Sequence, residues 1–469
     1  MNHSIKQAPT LSPTTSPTVT LMVVCVAHFL MPFMMSAVGV ALPAVGREFS
    51  ASAVQLGLVE MTYVLSASIF LLAMGRWGDI IGRRRIFRRG LAIFTLAGGL
   101  ISQAWSIEVV IVLRFFQGMG GAMVMATTMA MVVEVFPAQQ RGKALGIAVA
   151  SVYAGISCGP FVGGVLVSWL GWRAIFYLCI PLGLTALVVA TTKLANAVPE
   201  SAGEPFDWSG WFIYVVAIAA LVAGATHLQD GSWAWWMLVA GVLTALMFFW
   251  FEARQKYPLL NVDLLRYNRV FALSNLAALF NYAGTFGLTF FLSLYLQNVR
   301  GFTAHTAGAI LIISPVVQTV FSPPCGRLAD RFSASKVATA GMILCAVGIA
   351  VASMVNATTP LPMIFTLLAV LGLGFALFSS ANTSAIMGSV EPRYLGVASG
   401  FAASMRTLGM LTSMTIITGT FSFFMGHQAV TAATQTAFLH SMRVSLLVLS
   451  CLCVVAVVTS FGRHRSNKV

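Results

Sequence analysis

The sequence predicts an all-α integral membrane protein of fourteen spans, built as two six-helix bundles with an extra helix pair between them. Three observations carry this. Charged residues are 9% of the 469-residue chain and hydrophobic residues 58%, whereas a soluble domain carries roughly 25% charge. Apolar runs of about twenty residues, the length a helix needs to cross a bilayer, recur from Leu21 to the C-terminal tail. They do not alternate with period two, so helices are favoured over a closed barrel. A short basic turn is also written twice, at Gly75–Arg89 (GRWGDIIGRRRIFRR) and in reduced form at Gly326–Lys336 (GRLADRFSASK), each time between two apolar runs.

Taken in order, the spans fall at 19–42, 54–75, 89–105, 108–132, 143–168, 174–193, 209–227, 233–251, 271–296, 306–325, 337–355, 362–388, 397–424 and 441–461. Two connections break the rhythm. Asn196–Trp208 holds Pro199, Glu200, Glu204, Pro205 and Asp207, and Glu252–Arg269 is charged and holds Pro258. They bracket the seventh and eighth spans, which therefore read as an insertion. The expected organisation is a disordered tail over 1–18, a six-helix bundle over 19–193, the insertion and its linkers over 194–270, a second bundle over 271–461, and a tail over 462–469. Trp233, Trp235 and Trp236 at the start of the eighth span suit an interfacial belt.

Net charge is +14, and placement explains it. With the N-terminus inside, 21 of the 27 Lys and Arg fall on the inner side, four on the outer side (Arg47, Arg173, Arg300, Arg443) and two within spans (Arg114, Arg406). That bias is the positive-inside rule. It accounts for the charge by topology and anionic lipid, and leaves no case for nucleic acid. Both termini are expected in the cytoplasm. The seven cysteines lie in apolar runs with no zinc-type ligand set beside them. HExxH, GxSxG and GxxxxGK[ST] patterns are absent, so no enzyme, metal or nucleotide site is expected.

The halves also echo one another. Gly146 is followed by Gly155 and then Gly159-Pro160, and in the second half Gly400 is followed by Gly409 at the same spacing. Parallel repeats with a site between them are a layout of secondary transporters. In the basic turn, Gly75 and Gly82 would permit close approach and a tight bend. Asp79 would pair an arginine of the loop, and the turn, with Arg83, Arg84, nearby Glu134 and Asp330 of the second copy, would latch one half against the other on the cytoplasmic face. In the fifth span, Gly146, Gly155, Gly159, Pro160, Gly163 and Gly164 put small residues along a pliable, gating helix.

Ionisable residues inside spans are functional candidates. Glu60 lies in the outer part of the second span, Arg114 in the fourth, Arg406 in the thirteenth and His28 in the first. Glu60 is placed to exchange a proton against a cation. The plainer alternatives are an ion pair with Arg114 or exposure at the interface. For His28 the alternatives are proton transfer and quiet hydrogen bonding. Met34, Tyr63, Gln117, Asn281, Tyr282 and Asn382 are candidate lining residues, since methionines and aromatic faces make a pliable surface that attracts organic cations.

These motifs resemble the major facilitator superfamily, in particular its fourteen-helix branch of bacterial drug:proton antiporters of the multidrug and quaternary-ammonium type. Gly75–Arg84 resembles the loop signature between helices two and three. Arg114–Gly118 (RFFQG) resembles the helix-four signature, whose arginine is implicated in proton coupling. Gly146–Gly164 resembles the antiporter signature of helix five. Leu170–Gly183, Phe206–Gly210 (FDWSG) and Pro258–Phe271 resemble further marks of the branch. One departure stands out. The first span of the branch commonly ends in a pattern with an aspartate and an asparagine, and here Met34 and Gly39 stand in those places.

The resemblance implies an antiporter driven by the proton gradient, without a cofactor. It would export lipophilic, cationic compounds from a bacterial cytoplasmic membrane by alternating access, working as a monomer. The missing first-span acid leaves a second expectation: an anionic or zwitterionic metabolite, such as a siderophore or amino acid, bound by Arg114 and Arg406. A channel or receptor is disfavoured by the paired halves.

Overall fold

The computed structural model describes residues 16–194, 203–227, 231–260, 262–390, 395–426, 428–431 and 433–461. Among the described residues all regular structure is helical. The first bundle holds α1 (Pro17–Phe49), α2 (Ala53–Ile81), α3 (Arg83–Ile101), α4 (Ile107–Val135), α5 (Ala138–Leu170) and α6 (Arg173–Lys193). The insertion is α7 (Trp208–Thr226) and α8 (Ser232–Glu252), followed by the short α9 (Val262–Tyr267). The second bundle holds α10 (Arg269–Leu294), which ends in a π-helical turn at Tyr295–Val299, then α11 (Ala304–Leu311) and α12 (Ile313–Arg331) forming one span. It continues with α13 (Ala334–Ala352), α14 (Leu361–Gly388), α15 (Leu395–Met425) and α16 (Gln435–Phe461).

Thirteen described segments are long and apolar enough to span a membrane. The sequence suggested fourteen. The difference is α3, which is a helix of 19 residues but opens with RRRIFRR, so its apolar stretch is too short to qualify. It still packs lengthwise between α4 and α6.

The turns remote from the basic loop are made by local chemistry. Ser50 takes the left-handed conformation that ends α1. Ser52 and Gln55 then form a reciprocal capping box at the start of α2. Ser106 caps α4 and Thr303 caps α11 through their side-chain oxygens. At the basic end, Gly82 joins α2 to α3 at φ 110°, a region that favours glycine.

The two bundles repeat one set of pairings. In the first, α1 packs on α5 and α6, α4 on α2 and α3, and α3 on α6. In the second, α10 packs on α15 and α16, α14 on α12 and α13, and α13 on α16. Between the bundles the main seams are α2 with α15, and α5 with α11 and α12. The insertion lies across the first seam. Trp211 Nε1 and Tyr214 Oη donate to the Ile69 and Ser68 carbonyls of α2, while the Ala225 carbonyl of α7 abuts Gly419 of α15.

Candidate functional site

The most buried charge among the described residues is Arg114 of α4, with no exposed surface at all. Its spacing explains its surroundings. Arg114, Gln117, Gly118 and Gly121 share one face of α4, as residues three, four and seven apart do. The two glycines let α2 come close: a Cβ on Gly118 would collide with the Tyr63 carbonyl, and one on Gly121 would lie 3.0 Å from the Tyr63 hydroxyl. This brings Glu60 and Tyr63 onto the arginine. Arg114 Nη2 donates to Glu60 Oε2 at 3.1 Å, Nη1 to Gln117 Oε1 at 2.9 Å, and Nε to the Val59 carbonyl at 3.2 Å. Its guanidinium also lies 4.3 Å from the Tyr63 ring centroid, a cation–π distance. The ion pair proposed as the plainer reading of Glu60 is therefore present.

The pair does not use up the carboxylate. Glu60 Oε1 and Gln117 Nε2 are buried without a hydrogen-bond partner. A buried ion pair survives only when geometry and further hydrogen bonds offset desolvation. Here each nitrogen of the arginine makes one hydrogen bond, and the glutamate uses one of its two oxygens. One carboxylate oxygen is left for a proton or another donor.

His28 stands apart from this cluster. It packs between α4 and α5, with Nδ1 3.2 Å from the Ala148 carbonyl and Nε2 2.6 Å from Thr128 Oγ1. A carbonyl only accepts, so Nδ1 carries a hydrogen. Thr128 and Arg114 are fourteen residues apart on α4, or about 21 Å along the helix. The histidine and the Glu60 cluster are two separate places.

A second polar group lies at mid-depth between the bundles. Tyr153 of α5 shares a hydrogen bond with Ser379 of α14 at 2.9 Å. Tyr282 of α10 packs edge-on against Phe375 and Phe378, and the Arg406 guanidinium lies 6.0 Å from its ring centroid. Tyr153 is within electrostatic reach of both Tyr282 and Arg406, and His28 is within reach of Arg406. Tyr282 and Arg406 were read from the sequence; Tyr153 was not. Its only signal was a lone aromatic two residues before Gly155, on a helix of small residues. Of the other candidates, Met34 is fully buried in α1. Asn382 donates to the Ser274 carbonyl of α10. Asn281 is fully buried, and neither amide atom meets an oxygen or nitrogen partner among the described residues.

The basic turn is charge-paired. Asp79 accepts from Arg83 one turn on, at 2.9 Å, and Arg84 lies 3.7 Å from Glu134 at the end of α4. Arg76 pairs with Glu204 in the linker before α7. These described pairs stay within the first bundle or reach the insertion. Gly75 does not serve close approach, because a Cβ there would meet nothing within 4 Å. The side chain of Asp330 and the surroundings of Gly146 lie outside the described residues.

The glycines of α5 divide between two partners. Gly155, Gly159 and Gly163, four apart, lie against Phe29, Ser36 and Ala37 of α1. Gly164 meets the Ala304 carbonyl of α11, and the Pro160 carbonyl meets Gly308. One stripe thus cements the first bundle and the next position touches the second. Proline adds a further device. Pro160 has no N–H, so the Ile156 carbonyl loses its helical partner, and Ser36 Oγ donates to it at 3.2 Å. Pro43 frees the Gly39 carbonyl in the same way, and this one accepts from across the seam, from Ser293 Oγ of α10 at 2.7 Å. Gln297 Nε2 donates to the adjacent Val40 carbonyl at 3.0 Å. Together with His305 to Ser168, Ala53 to Gln428 and the Ser157 and Tyr153 contacts, these are the described hydrogen bonds between bundles. All lie between mid-depth and the end opposite the basic turn.

The sequence profile of the Major Facilitator Superfamily matches residues 24–212 and 275–469. The chain belongs to that superfamily. It is accordingly a multi-pass membrane transporter that handles a small molecule across a lipid bilayer. The chain is similar to the riboflavin transporter of Clostridioides difficile, 26% identical over 456 residues, covering 96% of this chain and 98% of that protein. It is similar also to the multidrug resistance protein Stp of Mycobacterium tuberculosis, 29% identical over 385 residues, covering 81% of this chain and 71% of the other. Among solved structures it resembles a bacterial homologue of the human lysosomal transporter Spinster in an inward-facing, unoccupied conformation, with a TM-score of 0.68 at 17% identity, covering 96% and 97% of the two chains. That likeness concerns the fold of this facilitator alone.

Proposed function

We propose that this facilitator is a proton-coupled exporter of lipophilic, cationic compounds, working as a monomer in a bacterial cytoplasmic membrane with both termini inside. The observation that carries the reading is Glu60. Its Oε2 is held by Arg114 while Oε1 is buried and unpartnered. A carboxyl held on one side and open on the other can take a proton without dismantling its surroundings. Arg114 stands beside it as the counter-ion when the proton leaves. The mid-depth group of Tyr153, Tyr282 and Phe378 supplies aromatic faces for an organic cation. Drug exporters among the relatives support the cargo class. The basic turn would face the cytoplasm, which makes the described state closed toward the outside.

The metabolite alternative has less support. The Arg114 guanidinium is fully buried and already paired with the Glu60 carboxylate, which tells against its serving as the binding group for an anion. The end-to-end match to a riboflavin transporter favours, as a second reading, a planar heteroaromatic cargo. Proteoliposomes with an imposed pH gradient decide. A panel of cationic dyes, riboflavin and organic acids should show gradient-driven transport of the dyes. Glu60→Gln should bind the same dye yet lose the response to the gradient. Wild-type pumping by Glu60→Gln at equal reconstitution would end the coupling role.

A further inference from the structure

The insertion holds a second pair of acids, remote from Glu60. Asp207 caps α7, with Oδ1 accepting from the Gly210 amide at 2.8 Å. Glu252 ends α8 and is 2% exposed, with Oε2 accepting from the Leu260 amide at 3.0 Å. Each uses one oxygen in this way. The other two, Asp207 Oδ2 and Glu252 Oε1, have no donor from the protein, and both crowd the spot where a Cβ on Gly210 would sit. Glycine at 210 is what lets the carboxyls meet, and they lie within hydrogen-bonding reach of each other.

Two carboxylates are acceptors only, and a hydrogen bond between them requires a proton on one. No cation substitutes for it among the described residues. Among the described residues, Asp207 is the charged neighbour of Glu252. The cations of the packed elements are engaged elsewhere: Arg76 with Glu204, Arg254 over the Trp250 ring, Lys256 over the Tyr257 ring and Arg406 over Tyr282. We infer that Asp207 and Glu252 form a second proton-binding site, whose shared proton clasps the start of α7 to the end of α8 and to the chain at Leu260.

The clasp sits where it can bear on the seam. α7 is hydrogen-bonded to α2 near this end and touches α15 near the other. Between the hairpin and α15 lies an apolar cavity of about 140 Å3 lined by Leu72, Tyr214, Phe248, Phe401 and Met405, so the hairpin has room to shift. The closed clasp holds one proton more than the open one, in which two solvated carboxylates separate. Closure is therefore complete at low pH and is lost as pH rises on the side of the basic turn. The inference does not depend on the Glu60 reading.

The test uses the full chain in lipid nanodiscs, in a Glu60→Gln background so that Glu60 cannot contribute. Infrared spectra at neutral pH should show the C=O stretch of a protonated carboxyl, and Glu252→Gln added to that background should remove it. No such band, or a band that survives Glu252→Gln, overturns the site. Hydrogen exchange on the wild type gives a second reading that needs no variant. Between the titration step of the open clasp and that of the closed one, the Gly210 and Leu260 amides should exchange up to about tenfold faster per pH unit beyond their intrinsic change, the slope of one linked proton. A slope no steeper than the intrinsic one overturns the clasp.

Discussion

The two ends of the seam between bundles are built from different materials. At the basic end the polar chemistry is ionic: Asp79 with Arg83, Arg84 with Glu134, Arg76 with Glu204. Those described pairs tie the first bundle to itself and to the insertion. At the opposite end the contacts between bundles are neutral: glycine against carbonyl at Gly164 and Gly308, and hydroxyl or amide onto carbonyl at Gly39 and Val40. The charged pair at that end, Glu48 with Arg173, again stays within the first bundle. Charge sets orientation and stiffens each body. Among the described contacts, close backbone approach and neutral hydrogen bonds are what join the two bundles. That division suits a device that opens repeatedly, because a neutral bond costs less to desolvate than an ion pair.

Four substitutions would break or sharpen this contrast. Arg114→Met should have the largest effect, about 3–5 kcal/mol of lost stability, because it strands the Glu60 charge in the bundle. Thermal unfolding in detergent would measure it, and Arg114→Met with Glu60→Gln should recover most of the loss. Gly164→Val should follow, at about 1–3 kcal/mol against the state closed at its end, since a side chain there meets the Ala304 carbonyl. It should raise labelling of cysteines placed along the mid-depth group by an impermeant reagent added from outside. Ser293→Ala should shift the same equilibrium by about 1 kcal/mol, roughly fivefold in labelling. Arg84→Ala should shift the labelling least, because its described pair with Glu134 is long and lies within the first bundle. If Arg84→Ala shifted the labelling more than Gly164→Val, the assignment of the two ends would be reversed.

Much of this was legible in the sequence, for reasons that residue chemistry explains. Arg114 and Glu60 announced themselves because an ion inside an apolar run needs a partner, and each was the obvious partner of the other. The helices followed from run length; α3 strained the count because its arginines occupy its first two turns. The α5 stripe was visible as spacing, but spacing cannot say which partner each glycine meets. That Gly163 faces α1 and Gly164 faces α11 is a property of packing. Gly75 shows the converse: a glycine in a recognisable motif whose missing Cβ makes room for nothing among the described residues. Tyr153, Ser293 and Gln297 were missed because a neutral side chain carries no charge that demands a partner, and its place in an apolar run does not say where it bonds. Only the fold shows that these three reach across the seam.

The carbonyl that Pro43 releases at Gly39 has a consequence for how the transporter divides its time. Left bare in hydrocarbon, such a group costs several kcal/mol. With the bundles shut it accepts from Ser293, and when they part the cleft that forms admits water, which bonds it nearly as well. The proline thus makes the group permanently needy and indifferent to which partner it has. Neither conformation gains much over the other from this bond. A transporter whose two states must be visited in turn is served by such evenness, with the cargo left to tip it.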